Sequence, residues 1–159
     1  MPITVGEQVP DVEVRTLVQG APVVVRTGEV LGRGRVVLFA VPGAFTPTCS
    51  DHHLPGFILR RDELAEKGVD TVACLSVNDA YVMGAWGRSQ RVEDTIVMLG
   101  DGNGEFTRAM GLEVDLAGAG LGLRSKRYAA IIEDGIITSL FVESAGLDVS
   151  SAESVLKAL

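Results

Sequence analysis

Arg35-Val-Val-Leu-Phe-Ala-Val-Pro-Gly-Ala-Phe-Thr-Pro-Thr-Cys49 is the stretch on which the fold turns. Arg35 to Val41 has strand length and is apolar from Val36 onward. Such a run fits a strand covered on both faces, and Pro42-Gly43 ends it. Pro47 then suits the first position of a helix, where the N–H it lacks would have no partner, and Thr46 before it is a good cap. A helical pattern continues from Pro47 to about Lys67, with Phe57, Ile58, Leu64 and Ala65 as its apolar stripe. A kink is expected at Pro55 and a stop at Gly68. Cys49 therefore falls in the first turn of a helix that leaves a buried strand.

Working outward, Val12–Val18 and Pro22–Arg26 read as a hairpin across Gln19-Gly20. Downstream, Val69–Val77 is a second buried strand, and Asn78-Asp79 caps a helix running through Ala85 and Trp86 to Gln90. Thr95–Leu99 is a third strand, Gly100–Gly104 a turn, and a short helix passes through Phe106 to Met110. Gly118–Gly122 reads as a glycine-rich link. Arg127–Glu133 and Ile136–Val142 pair across Asp134-Gly135, a dipeptide suited to a two-residue turn. A last helix follows Ser150-Ser151, with Glu153 as its capping partner. Alternating strands and helices imply parallel pairing with right-handed crossovers, and the late hairpin adds antiparallel strands. The expectation is an α/β chain with a mixed central sheet flanked by helices and an N-terminal hairpin. At 159 residues it suits one domain, 1–159.

Charge and composition exclude several classes. Acidic residues number 21 against 14 basic, for a net charge of -7. That field disfavours nucleic acid and anionic membranes as partners. The basic cluster Arg124-Ser-Lys-Arg127 is too short for a phosphate-binding surface. No segment approaches a membrane span, and Met1 to Pro10 has neither a basic start nor an apolar run, so a cytoplasmic location is expected. The two cysteines, Cys49 and Cys74, form no Cys-x-x-Cys pair, and reduced thiols are expected. No metal is expected either. His52 and His53 point different ways on a helix and have no third ligand, and Asp101–Glu105 lacks the glycine and distal glutamate of a calcium loop. Gly118, Gly120 and Gly122 have the wrong spacing for a dinucleotide fingerprint, so no cofactor is implied.

Chemistry then concentrates on Cys49. The first turn of a helix offers unpaired N–H groups and the positive end of the dipole, which favour an anionic sulfur. A thiolate of this kind can attack a hydroperoxide oxygen in line, and donors aimed at the departing oxygen lower the barrier by roughly 3–4 kcal/mol for a well-placed one. The Thr46 hydroxyl and the N–H groups around Gly43 and Cys49 are candidates. Arg127 can hold a permanent positive charge beside the sulfur. Pro42 and Phe45 would shield the pocket from water. His53, one turn from Cys49, is assigned a structural role near a dimer or pocket rim. Trp86 belongs to the core or a subunit interface, and Cys74, in an apolar strand, reads as a small buried hydrophobe.

Pro42-Gly-Ala-Phe-Thr-Pro-Thr-Cys49 resembles the active-site motif of the peroxiredoxins, Pro-x-x-x-Thr-x-x-Cys, and more narrowly the peroxiredoxin-5 / plant type II group. The similarity extends through Leu54-Pro-Gly-Phe57, Ala73–Asp79, Gly84-Ala-Trp86, Gly111–Leu116 and Gly122–Tyr128. It implies a thioredoxin-like fold and a thiol-dependent peroxidase acting on hydrogen peroxide and alkyl hydroperoxides. Cys49 would be the peroxidatic nucleophile oxidised to a sulfenic acid, with Thr46 positioning the peroxide, Pro42 shielding it and Arg127 as the catalytic arginine. Arg124 is a second candidate for that last role. A homodimer is implied, with contacts around Gly84 to Trp86. One departure matters: Val149, in Gly146-Leu-Asp-Val-Ser150, stands where some relatives carry a resolving cysteine. An external thiol, glutathione with glutaredoxin or thioredoxin, is therefore expected to recycle Cys49. Rival readings are a redox sensor or relay using the same cysteine, and a non-catalytic chaperone-like role.

Overall fold

The buried apolar run becomes the middle of the molecule. In the computed structural model, which describes residues 1–159, β1 (Glu13–Val18) and β2 (Ala21–Arg26) form the N-terminal hairpin, and α1 (Thr27–Val30) leads to β3 (Arg35–Ala40). A π-helical turn (Cys49–His53), α2 (Leu54–Leu59) and α3 (Arg61–Glu66) precede β4 (Thr71–Ser76). Then come α4 (Ala80–Ser89), β5 (Val97–Gly100), α5 (Glu105–Met110), β6 (Glu113–Asp115) and β7 (Leu123–Ser125). β8 (Tyr128–Glu133), β9 (Ile136–Val142) and α6 (Ala152–Ala158) complete the chain.

Seven strands form one mixed sheet in the order β2-β1-β5-β4-β3-β8-β9. β3, β4 and β5 run parallel, as the intervening helices require, while β8 pairs antiparallel with β3. Its neighbours on both sides cover β3, so every residue from Val36 to Ala40 is buried. Alternation then divides the core. Val37 and Phe39 face the layer holding Cys49, Phe57, Cys74 and Trp86, whereas Val36 and Leu38 face Phe106, Met110 and Tyr128. Burial of each large side chain is worth about 1.5–3 kcal/mol, so this sheet is a rigid base for the loop at its carboxyl edge.

Most expected elements are present, with four differences. The single helix over Pro47–Lys67 is instead a π turn and two helices, because the Leu54 N–H bonds to the Cys49 carbonyl five residues back. Pro55 does not kink a continuous helix. It sits in the first turn of α2, where a missing N–H is tolerated, and the break falls at Arg60. Gly118–Gly122 is not a bare link, for it tips a small ribbon made by β6 and β7. Glu153 does not cap α6: Ser151 accepts from the Ser154 N–H, while Glu153 faces Arg60. The Asp134-Gly135 turn holds as read, both residues at positive φ (48° and 86°) as a two-residue hairpin of this hand requires.

Candidate active site

Between β3 and the π turn, residues 42–48 form a loop that is helical from Pro47 and is held from two sides. Asn78, beyond the end of β4, accepts from the Ala44 N–H at 3.0 Å and from the Ser76 hydroxyl at 2.7 Å. Arg124, on β7, donates to the Pro42 carbonyl at 3.1 Å and to the Leu121 carbonyl at 2.9 Å. A Cβ on Gly43 would lie 2.7 Å from the Arg124 guanidinium, so only glycine lets that brace come so close. Phe45 carries a positive φ of 64°, a strained setting for an aromatic residue that the surrounding bonds sustain.

Thr46 does not cap the helix with its side chain. Its hydroxyl donates to the Gly43 carbonyl at 2.6 Å, while its own carbonyl accepts from the Ser50 N–H. With its proton committed, the hydroxyl has lone pairs left to accept with and no proton to give, unlike the donor expected from the sequence. Thr48 and Cys49 keep their N–H groups without a backbone acceptor, as the start of a helix dictates.

Cys49 is fully buried, more enclosed than a thiol at an open helix mouth would be. The guanidinium of Arg127, in the residue before β8, places Nη2 at 3.2 Å from its Sγ. A permanent cation with an N–H aimed at sulfur favours the anionic form and does not itself titrate. Arg124, the second candidate, directs its guanidinium to backbone carbonyls of Leu121 and Pro42 and braces the loop from behind.

His53 is not at a rim. It is buried against the stacked pair Phe39 and Phe57, whose centroids are 4.1 Å apart and lie 5.0 and 5.7 Å from the imidazole. Its Nε2 is 3.0 Å from the Ser150 carbonyl, which can only accept, so Nε2 carries the proton. Nδ1 is then a lone pair, and it meets Nη1 of Arg127 at 3.0 Å. Burial first, and the Arg127 charge second, push the imidazole down to about 3, against the pull of Ser150 and Glu143. His53 therefore stays neutral in the folded protein, while unfolded chains bind its proton below the ordinary value of 6.5. Stability is thus fully present above pH 6.5 and is lost as pH falls toward 3, by up to about 1.4 kcal/mol per pH unit. Thermal melts across that window check this, and a His53→Leu variant is expected to show a shallower slope.

Cys74 lies in the same apolar layer, and burial, with the nearby Cys49 as a second cause, pushes its thiol well up. It is unsuited to act as a nucleophile at neutral pH. Phe45 is 55% exposed, its ring 6.5 Å from Trp86, so within one chain it does not close the pocket. Trp86 is buried and donates to the Ser50 hydroxyl at 2.9 Å, and a Cβ on Gly84 would strike Leu17. Trp86 is thus part of the core, whereas Gly84 and Ala85 stay half-buried at the surface of α4. Sequence reasoning missed Asn78, Ser150 and Glu143 as parts of this arrangement. Their polar atoms reach across the fold to the site, and nothing in local spacing announces that.

The chain is similar to known proteins over nearly its whole length. A family model described as Redoxin matches residues 4–156. Peroxiredoxin-2E, chloroplastic, from Arabidopsis thaliana is 46% identical over 162 residues, covering 99% of this chain and 69% of that protein. Peroxiredoxin-2B from the same plant is 46% identical over 160 residues, covering 99% of each. Among solved structures, reduced Prx3 in complex with H2O2 from Vibrio vulnificus superposes with a TM-score of 0.93 at 50% identity, covering 98% of both chains.

Proposed function

This chain belongs to the redoxin family as a peroxiredoxin, a thiol-dependent peroxidase, and from that premise we propose that Cys49 is the sulfur that takes up the peroxide oxygen. The observation that carries the assignment is the 3.2 Å contact between the Arg127 guanidinium and Sγ, at a sulfur whose neighbours include the free N–H of the first turn. The Cys49 thiolate attacks the nearer oxygen of ROOH. An S–O bond forms as the O–O bond breaks, sulfur is oxidised by two electrons, and the leaving RO⁻ takes a proton and departs as alcohol or water. The Thr46 oxygen accepts from the peroxide O–H and fixes its approach. The Cys49 N–H and Arg127 offset charge as it builds on the reacting oxygens. Pro42 and Gly43 line the approach and limit water. Hydrogen peroxide, present in the neighbouring Vibrio structure, and small alkyl hydroperoxides are the substrates that suit so enclosed a sulfur.

Recycling requires an outside thiol. Val149, half-exposed in the loop before α6, offers no sulfur, and Cys74 is buried with its thiol in the wrong ionisation state. A groove of about 690 Å³ runs beside the π turn, lined by Asp51, His52 and Arg60 on one wall and Asp148, Glu153 and Lys157 on the other. Its mixture of charges suits a peptide thiol such as glutathione, acting with glutaredoxin or alongside thioredoxin. The thiol attacks the sulfenic sulfur, an S–S bond forms and water leaves. A second thiol then exchanges with that disulfide and restores Cys49. Burial of Cys49 means that the π turn has to open for this step. Mass spectrometry after one equivalent of peroxide tests the reading: Cys49 gains one oxygen, then glutathione on addition of the thiol, and Cys74 stays unmodified. Oxygen on Cys74 first would overturn it.

No helix is long and apolar enough to cross a membrane. A reducing compartment, the cytoplasm in this reading, suits a thiol that must be restored each cycle. A homodimer is also part of the proposal. Phe45 and Tyr81 (61% exposed) are large apolar side chains open to solvent on the α4 side of the loop, and a second chain would cover them. Sedimentation at micromolar concentration reads this directly, with a strictly monomeric species as the contrary result.

A further inference from the structure

Glu143, just past the end of β9, has no place in the reaction sequence above, yet its carboxylate is the most heavily used side-chain acceptor near the site. One oxygen, Oε2, accepts from the Asp148 N–H at 2.7 Å, the Ser150 N–H at 2.8 Å and the Ser150 hydroxyl at 2.7 Å. Burial raises its carboxyl, but these donors outweigh that and hold it below the ordinary glutamate value. Its backbone is tied to the same place, since the Glu143 N–H donates to the Arg127 carbonyl at 2.9 Å.

The bonds form a continuous line. Glu143 ties down the Asp148–Ser150 turn, and the Ser150 carbonyl then lies 3.0 Å from Nε2 of His53. That contact fixes the proton on Nε2 and leaves Nδ1 to receive Nη1 of Arg127, so that Nη2 points at Cys49 Sγ. We propose that Glu143 is a positioning residue for the peroxidase reaction, acting through Ser150 and His53 to aim the Arg127 guanidinium at the sulfur. His53 is the second positioning residue in the line. The loop where a resolving cysteine is missing thereby has a different task, which is to set the tautomer that orients the catalytic cation. A guanidinium with a free torsion beside a buried sulfur would sample several directions, and an offset of about 1 Å at the reacting atoms can cost on the order of a hundredfold in rate.

The inference rests on Cys49 being the reacting sulfur, and a Cys49→Ser control separates the two: if that variant stays active, the reaction assignment fails whatever Glu143 does. Two conservative variants test the line. Glu143→Asp keeps the charge but cannot reach the turn, and kcat/KM for hydrogen peroxide is expected to fall by about tenfold or more. Glu143→Gln keeps the reach and one acceptor oxygen, and most of the activity is expected to survive. His53→Leu is expected to lose activity to a similar extent, and in that background Glu143→Asp is expected to add no further loss, because both changes cut one serial path. Rescue by Glu143→Gln, at the same melting temperature as Glu143→Asp, supplies the readout that a merely structural role would not move. Wild-type kcat/KM in Glu143→Asp, or losses that multiply in the double variant, would overturn the proposal.

Discussion

Peroxide consumption by a Cys49→Ser variant is expected to fall to the uncatalysed background, measured in steady state with glutathione and glutaredoxin in excess. Serine preserves the shape of the buried site and can still accept from Arg127, so the fold should persist and the loss should be chemical. Its hydroxyl stays protonated at neutral pH, and no adjacent base takes the proton: the nearest imidazole, His53, has Nε2 bonded to Ser150 and Nδ1 to Arg127. Cys74 cannot substitute, since burial keeps it a thiol. Oxygen is also a far poorer nucleophile toward a peroxide than a thiolate sulfur, and it has no counterpart of the sulfenic acid that a thiol later reduces. Wild-type consumption by this variant would move the reaction to another group and remove the peroxidase assignment from Cys49. Repeated turnover by the unmodified chain also separates scavenger from sensor, because a relay needs to be oxidised only once per signal.

Much of this was legible before any coordinates, for reasons that are local. Val36 to Val41 is apolar because β3 is covered on both faces, and the Asp134-Gly135 pair marks its turn because few residues tolerate two positive φ angles in succession. Cys49, Thr46 and Pro42 lie within one short segment, so their proximity was readable as spacing. What escaped is non-local. The turn at Cys49 is π-helical, a winding that no periodicity announces, and Pro55 looks the same in a kinked helix as at the start of a new one. His53 reads as a structural histidine near a dimer or pocket rim until Phe39 and Phe57 pack against it from a strand and a helix. The roles of Arg124 and Arg127 differ only because β7 and β8 deliver them to opposite sides of the 42–48 loop, one behind Pro42 and one against the sulfur. Three residues of sequence separation could not show that.

The second large effect is expected at Arg127. Arg127→Gln should lower kcat/KM for hydrogen peroxide by about 10²–10³, the range typical for loss of a charged or well-aimed donor in a water-excluded site. Two losses coincide. The sulfur loses the cation that favours its anionic form, and the reacting oxygens lose an N–H fixed before they arrive. Arg127→Lys should restore only part of the rate: an ammonium supplies the charge, but it cannot bond His53 Nδ1 and Cys49 Sγ at once through a rigid fork, as Nη1 and Nη2 do at 3.0 and 3.2 Å. The ordering of wild type above lysine above glutamine, read from single-turnover oxidation followed by Trp86 fluorescence, therefore distinguishes charge from geometry. If lysine matched arginine, the planar fork would be dispensable, and the imidazole that holds it would have no bearing on the rate. If glutamine matched both, the 3.2 Å contact would be packing alone, and the sulfur would owe its reactivity to the N–H groups of its own turn.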